Sequence, residues 1–100
     1  MKPFDLTQKA QDDLREIAIY TEVNWGVKQR NVYIRQFDEI FHLLAATPDM
    51  GKKCDEVIAG YRKFPKESHV IFYKPGTTCT IEIVRILHKS MDVSPSLLGV

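Results

Sequence analysis

The segment HVIFYKPGTTCTIEIVRILH, residues 69–88, decides the fold of this chain. Two runs rich in β-branched and aromatic residues, His69–Lys74 and Cys79–His88, are separated by Pro75-Gly76-Thr77, so they are predicted to be neighbouring strands. A link this short joins antiparallel strands, because a parallel pair needs a long crossover. Residues 81–87 are apolar on both faces toward the end of the second run, which is typical of an interior strand.

Two further extended segments precede this pair. Pro3–Leu6 is a short strand whose apolar side chains point the same way. After a polar loop at residues 52–56 the period changes to 2, and Val57–Phe64 is predicted to be a strand closed by Pro65–Ser68. Short links again make these neighbours antiparallel, so the strands form a meander.

The segment between the first two strands is predicted to form two helices joined at one glycine. Thr7 suits the N-cap of the first helix, which ends at Asn24-Trp25-Gly26. Gly26 is predicted to adopt the left-handed conformation that ends many helices. The second helix runs from about Val27 to Thr47 and stops at the Pro48–Gly51 turn. Each helix has one apolar stripe to bury, so the two fold back as an antiparallel hairpin.

The order strand–helix–helix–strand–strand–strand predicts an α+β fold. Its N-terminal helical hairpin packs on one face of a small, mainly antiparallel β-sheet. The other face of the sheet is predicted to be open and therefore a natural docking surface. One hundred residues suffice for one such domain, spanning residues 1–100.

Composition excludes several classes of protein. With 44% hydrophobic and 27% charged residues the chain is neither a disordered tail nor a low-complexity linker. No apolar run is long enough for a membrane span and no secretory signal opens the sequence, so a cytoplasmic protein is expected. The net charge of +1 does not indicate a nucleic-acid binder, although residues 61–100 carry 6 basic and 3 acidic side chains.

The sequence contains no catalytic or metal-binding motif. Cys54 and Cys79 are 24 residues apart without clustered histidines, so two reduced thiols are expected, at least one of them buried in a strand. Adjacent acids such as Asp12-Asp13 are predicted to be solvated. His88-Lys89, at the end of the last strand, is the most interesting polar pair, although a cation that simply closes an exposed strand is the commoner case. Residue patterns alone therefore indicate a small binding domain.

Several strings, in the order in which they occur, resemble the ParE toxins of the RelE/ParE toxin–antitoxin superfamily over nearly the whole chain. These strings are Asp13-Leu14-x-x-Ile17-Ala18-x-Tyr20, Trp25-Gly26, Tyr33, Phe37, Pro48-Asp49-x-Gly51, Gly60-Tyr61-Arg62-Lys63-Phe64, His69-Val70-Ile71-Phe72-Tyr73 and Val84-Arg85-Ile86-Leu87-His88-Lys89-Ser90-Met91-Asp92. The resemblance implies a toxin that poisons DNA gyrase, trapping the cleaved complex. It also implies a ParD-like antitoxin that wraps and neutralises the toxin.

The RelE branch of ribosome-dependent mRNA nucleases is the alternative within the superfamily. Such nucleases need cations around the scissile phosphate and a group for proton transfer. Their strand arginine aligns with Val70 here and their C-terminal arginine with Ser90, and no tyrosine follows Tyr73. This departure favours ParE and predicts a protein without catalytic residues. An inactive homologue that serves as an interaction module remains a third alternative.

The resemblance implies two binding surfaces, one for the antitoxin and one for gyrase, to which polar and aromatic residues can be assigned. For the antitoxin, a disordered tail needs aromatic and arginine anchors, and the candidates are Trp25, Tyr61, Arg62 and Phe64. Trp25 has the alternative of packing the helical hairpin onto the sheet.

For gyrase, possibly with its bound DNA, the candidates are Lys63, Arg85, His88 and Lys89 together with the tail that ends at Val100. Packing is the alternative role of Arg85. No cofactor, metal, membrane or small-molecule substrate is expected.

Overall fold

A computed structural model describes residues 2–91 of the chain, and the tail at 92–100 that was considered for gyrase lies outside the described residues. The elements are β1 (Lys2–Leu6), α1 (Gln8–Trp25), α2 (Val27–Ala46), a 3₁₀ turn (Pro48–Met50), β2 (Lys52–Lys53), β3 (Arg62–Lys66), β4 (His69–Pro75) and β5 (Cys79–His88). Neither helix in this part of the chain combines the length and apolarity needed to cross a membrane.

The five strands form one sheet in the order β1-β5-β4-β3-β2. β3, β4 and β5 are the predicted antiparallel meander, and β5 is the predicted interior strand. β1 adds to β5 in parallel, with Phe4 beside Ile81 and Leu6 beside Ile83. The prediction of a small, mainly antiparallel sheet is confirmed.

The helical hairpin covers one face of this sheet, as predicted. Thr7 caps α1, since its Oγ1 accepts a hydrogen bond from the Ala10 N–H at 3.1 Å. Gly26 links the helices with φ +92° and ψ 169°. The positive φ was predicted, but the extended ψ lies outside the left-handed helical region, because the next helix must start at once in a new direction. The core beneath the hairpin is contributed by Ala10, Ile17, Phe37, Phe41, Leu44, Ala45, Ile71, Tyr73, Ile81, Ile83 and Ile86.

The prediction that the second face is open is wrong. A smaller buried cluster occupies that face, formed by Cys54, Phe72, Val84 and Leu87 and flanked by Val57, Ile58, Tyr61 and Val70. The segment 54–61, whose second half was predicted to begin a strand, folds over the sheet as successive turns. Cys54 holds it locally, since its carbonyl accepts the N–H of Val57 at 2.9 Å and its own N–H donates to the Tyr61 carbonyl at 3.0 Å.

The strand predicted at Val57–Phe64 is therefore displaced to Arg62–Lys66, and it includes Pro65. Proline lacks an N–H, so strands tolerate it at a sheet edge. β2 pairs only with Arg62 and Lys63, which leaves β3 as the edge of the sheet at Pro65. Both cysteines are free and buried, and Cys79 lies in a strand as expected.

Candidate functional site

A groove with exposed aromatic side chains lies where α1 and the start of α2 face the end of β5. We call it the hairpin groove, and it is lined by Tyr20, Trp25, Tyr33, Arg85, His88 and Met91, among others. Tyr20 is 67% exposed, Trp25 72% and Met91 46%. The exposure of Trp25 contradicts the alternative that it packs the hairpin onto the sheet. Large apolar groups left in water beside charged ones are typical of a surface that binds a protein segment.

An ion pair between Asp13 and Arg85 forms part of the lining of this groove. Arg85 Nε donates to Asp13 Oδ2 at 2.7 Å and its Nη2 to Oδ1 at 2.8 Å, a bidentate geometry. Asp13 Oδ2 also accepts the backbone N–H of Ile86 at 3.0 Å. The Asp13 side chain is 12% exposed, so the prediction that it is solvated is wrong. The hydrogen bond with Asp13 raises the pKa of the Arg85 guanidinium, and the geometry gives Arg85 the packing role considered as its alternative.

Two histidines face each other across β4 and β5 at the same groove. His69 and His88 are register partners with ring centroids 5.6 Å apart. His69 Nδ1 is hydrogen bonded to the Tyr33 hydroxyl at 3.2 Å. Burial, and next the charge of His88, lower the pKa of His69. His88 Nδ1 accepts the N–H of Ser90 at 3.2 Å, so in the neutral ring the proton is on Nε2.

Lys66 is a buried cation next to this histidine pair that the sequence analysis did not single out. Its Nζ lies 4.7 Å from the centroid of the Tyr33 ring and donates to Gln36 Oε1 at 2.9 Å. These contacts join β3 to α2. No sequence signal identified Lys66, because a lysine in the predicted turn Pro65–Ser68 is expected to be exposed. Its burial depends on the position of α2, which the sequence does not give.

A second groove lies at the opposite end of β4 and β5. We call it the sheet-end groove, and its lining includes Tyr61, Arg62, Tyr73 and Lys74. Arg62 is held in place, because Nη1 donates to the Gly51 carbonyl at 2.7 Å and Nη2 to Asp49 Oδ1 at 3.2 Å. The Tyr73 hydroxyl accepts the Gly51 N–H at 2.8 Å and donates to the Pro48 carbonyl at 2.7 Å.

The predicted antitoxin residues are not brought together by this fold. Trp25 lies in the hairpin groove, Tyr61 and Arg62 lie in the sheet-end groove, and Phe64 packs against the core under the helices. Sequence reasoning missed Tyr20 and Met91 as partners of Trp25. Tyr20 lies five positions before Trp25 on α1, about 140° around the helix, so no helical spacing linked the two and only tertiary structure brings them to one groove with Met91.

The predicted gyrase residues are also divided. Arg85 and His88 line the hairpin groove. Lys89 is exposed just beyond β5, and its backbone N–H donates a hydrogen bond to the Ser68 carbonyl at 2.8 Å. Lys63 is half-buried on β3, beside β2. Within residues 2–91, no group of three or more histidine, cysteine, aspartate or glutamate side chains is arranged to hold a metal ion.

Comparison with known proteins gives one consistent result. Residues 4–93 match the family model described as "ParE toxin of type II toxin-antitoxin system, parDE". The chain is 39% identical to Toxin ParE1 of Caulobacter vibrioides over 97 residues, which cover 97% of this chain and 99% of that protein. It is 41% identical to Toxin ParE1 of Mycobacterium tuberculosis over 92 residues, which cover 92% and 94%.

The fold has a solved counterpart as well. A chain of the chromosomal ParDE TA system from P. aeruginosa superposes with a TM-score of 0.73, covering 88% of this chain and 96% of that chain at 21% identity. This likeness confirms the predicted architecture of a helical hairpin packed on a small, mainly antiparallel sheet, which in the structure has five strands.

Proposed function

The chain belongs to the ParE toxin family of type II toxin–antitoxin systems, and from this membership we propose that the free toxin poisons DNA gyrase by binding it, without catalysis. The whole chain acts as one toxin domain in the cytoplasm, and a ParD-like antitoxin neutralises it there. The observation that carries the proposal is the match along nearly the full length of both this chain and its relatives. The missing RelE cations at Val70 and Ser90 support binding rather than RNA cleavage as the toxic step.

The gyrase proposal is tested with purified gyrase, supercoiled plasmid, ATP, Mg²⁺ and antitoxin-free toxin. We expect loss of supercoiling and accumulation of linear DNA, since a trapped cleavage complex releases broken plasmid. Absence of both at stoichiometric excess would overturn the gyrase target. Cleavage of mRNA on translating ribosomes would instead support the RelE alternative.

His88 and Lys89 are the proposed gyrase contacts, because both are exposed at the end of β5. The variant with His88→Gln and Lys89→Gln should poison gyrase less while its thermal unfolding changes little. A control that removes the same formal charge replaces Lys28, which is exposed on α2, with glutamine. Equal loss of poisoning in both variants would mean that total charge matters rather than this surface.

The antitoxin proposal concerns the hairpin groove, whose exposed aromatic groups suit the anchors of a segment that orders on binding. Trp25→Ala should weaken antitoxin binding, since it removes a large exposed anchor without opening the core. Tyr61→Ala makes a matched aromatic truncation in the sheet-end groove. Calorimetry with the purified antitoxin then identifies the groove in use, and unchanged affinity for Trp25→Ala would contradict our choice. Arg62 and Phe64 are poorer probes because each also supports the fold.

A further inference from the structure

The pairing of β2 with β3 places four cationic side chains at one corner of the sheet, one pair on each of its two faces. Lys52 is the register partner of Lys63, and Lys53 is the register partner of Arg62. We call these four residues the cation edge. Side chains directly opposite each other on neighbouring strands lie close together, and like charges in such positions repel and destabilise the pair. Two successive repulsive pairs in a strand of two residues need an explanation.

Arg62 is the only one of the four whose charge is balanced within residues 2–91, through its ion pair with Asp49. The three lysines form no ion pair or hydrogen bond through their ammonium groups in that part of the chain. Within residues 2–91, the acids that follow β2 form no ion pair with these lysines. Asp55 accepts the N–H of Gly60 at 3.0 Å, and Glu56 is exposed on the covering segment.

Protection of the sheet edge explains only half of this arrangement. Lysines on an edge strand deter pairing with another chain, which accounts for Lys52 and Lys53 on β2. Lys63 is on the neighbouring strand and already has β2 on one side and Phe72 of β4 on the other. A lysine there protects no edge and adds repulsion, so a role in binding an anion accounts for it better.

We propose that the cation edge binds the phosphate backbone of duplex DNA. A regular series of phosphates relieves the repulsion among the lysines, and lysine binds phosphate as a point charge. Single-stranded nucleic acid is a poorer fit because it needs exposed aromatic side chains on which bases stack. The strongly exposed aromatic groups within residues 2–91, Tyr20 and Trp25, lie in the hairpin groove instead.

This inference rests on the proposed function for the source of the DNA, which would be the segment that gyrase holds. It assigns DNA contact to a surface different from the hairpin groove, which leaves that groove to the protein partners. Binding of DNA by the toxin can be measured without gyrase. Failure to poison gyrase therefore overturns the proposed function alone, and failure to bind DNA overturns this inference alone.

The experiment uses the full-length toxin and a fluorescent DNA duplex of about 20 base pairs in an anisotropy titration. Three lysine–phosphate contacts predict that log K falls with log salt at a slope of about 2.7, which is about 40-fold in affinity between ~50 and ~200 mM salt. In the variant Lys52→Gln, Lys53→Gln, Lys63→Gln this slope should fall to near zero. Lys63→Gln alone should lower it by about 0.9.

A matched variant, Lys2→Gln, Lys28→Gln, Arg35→Gln, removes the same number of charges from exposed positions elsewhere and should retain the slope. If it loses binding as fully as the lysine variant, total charge explains the result and the inference is overturned. Tighter binding of single-stranded RNA that depends on the same three lysines would also overturn it, in favour of an RNA ligand.

Stability provides an independent check. Relief of repulsion predicts that Lys63→Gln raises the midpoint of thermal unfolding while it weakens DNA binding. A midpoint that does not rise would contradict the repulsion on which the inference is built.

Discussion

Replacing Asp13 with alanine tests whether the contact between α1 and the second half of β5 stabilises the folded toxin. The carboxylate of Asp13 accepts two hydrogen bonds from the Arg85 guanidinium and one from the backbone N–H of Ile86. Among the strands of residues 2–91, none pairs with this edge of β5 beyond Ile83, and there Asp13 accepts the backbone N–H of Ile86 as a neighbouring strand would. The variant removes this carboxylate from a largely buried cation and from a backbone donor.

The expected cost follows from burial. Breaking a fully buried ion pair by removing one partner costs about 3–5 kcal/mol. The two side chains here are 12% and 16% exposed, so we expect about 3 kcal/mol, at the low end of that range. Each kcal/mol lowers the unfolding midpoint of a domain this size by roughly 4–8 °C, so Asp13→Ala should unfold at least ~12 °C lower.

Urea unfolding followed by far-ultraviolet circular dichroism measures this difference. Tryptophan fluorescence is a poor reporter because Trp25 is exposed in the folded protein. The control is Arg85→Met, which leaves Asp13 bound to the Ile86 N–H and should cost less than Asp13→Ala. A loss below ~1 kcal/mol for Asp13→Ala would refute the reasoning, since exposed ion pairs contribute about that much or less.

Three further predictions concern other parts of the fold. Tyr73→Phe removes the hydroxyl that joins the Gly51 N–H to the Pro48 carbonyl and should cost about 1–3 kcal/mol in urea unfolding; an unchanged midpoint would contradict this. Gly26→Ala should lower the free energy of unfolding by on the order of 1–3 kcal/mol, because φ +92° with ψ 169° is accessible almost only to glycine. Apart from the adjoining residues, no atom lies within 4 Å of the added methyl group, so this cost would be backbone strain and not a steric contact. Because burial lowers the pKa of His69 below its usual 6.5, stability that is present above about pH 6.5 should be lost as the pH falls toward the folded-state pKa. Urea midpoints between about pH 7.5 and 5 should fall less for a His69→Gln variant than for the wild type, and equal falls would exclude this histidine as a cause.

Capping residues, turn residues and the hydrophobic period were sufficient to locate most helices and strands. The two runs on either side of Pro75-Gly76-Thr77 are β4 and β5, and the 3.6-residue period located both helices. The hydroxyl of Thr7 indicated the start of α1, and the glycine at position 26 indicated the link between the helices. These signals are reliable because they act within one or two turns of the chain, where propensity and hydrophobic period decide the conformation.

The sequence failed where a segment's conformation depended on a distant surface. Val57 and Ile58 have the apolar character of a strand, yet they cover Phe72 and Leu87 on the second face. Burial of apolar area stabilises these residues either in a strand or packed on the sheet, and the apolar second face of the sheet decides in favour of packing.

Sequence alone determined the family, the order of the two helices and the four longer strands, and the packing of the helices on one face of the sheet. Tertiary structure decided the sites. Asp13 and Arg85 are 72 positions apart, and the hairpin groove joins Trp25 on α1 with His88 on β5. Lys63 was a candidate gyrase contact from the sequence, but its position opposite Lys52 follows only from the strand register. The physical reason is that such contacts depend on strand register and helix rotation, which are set by packing of the whole core rather than by any local period.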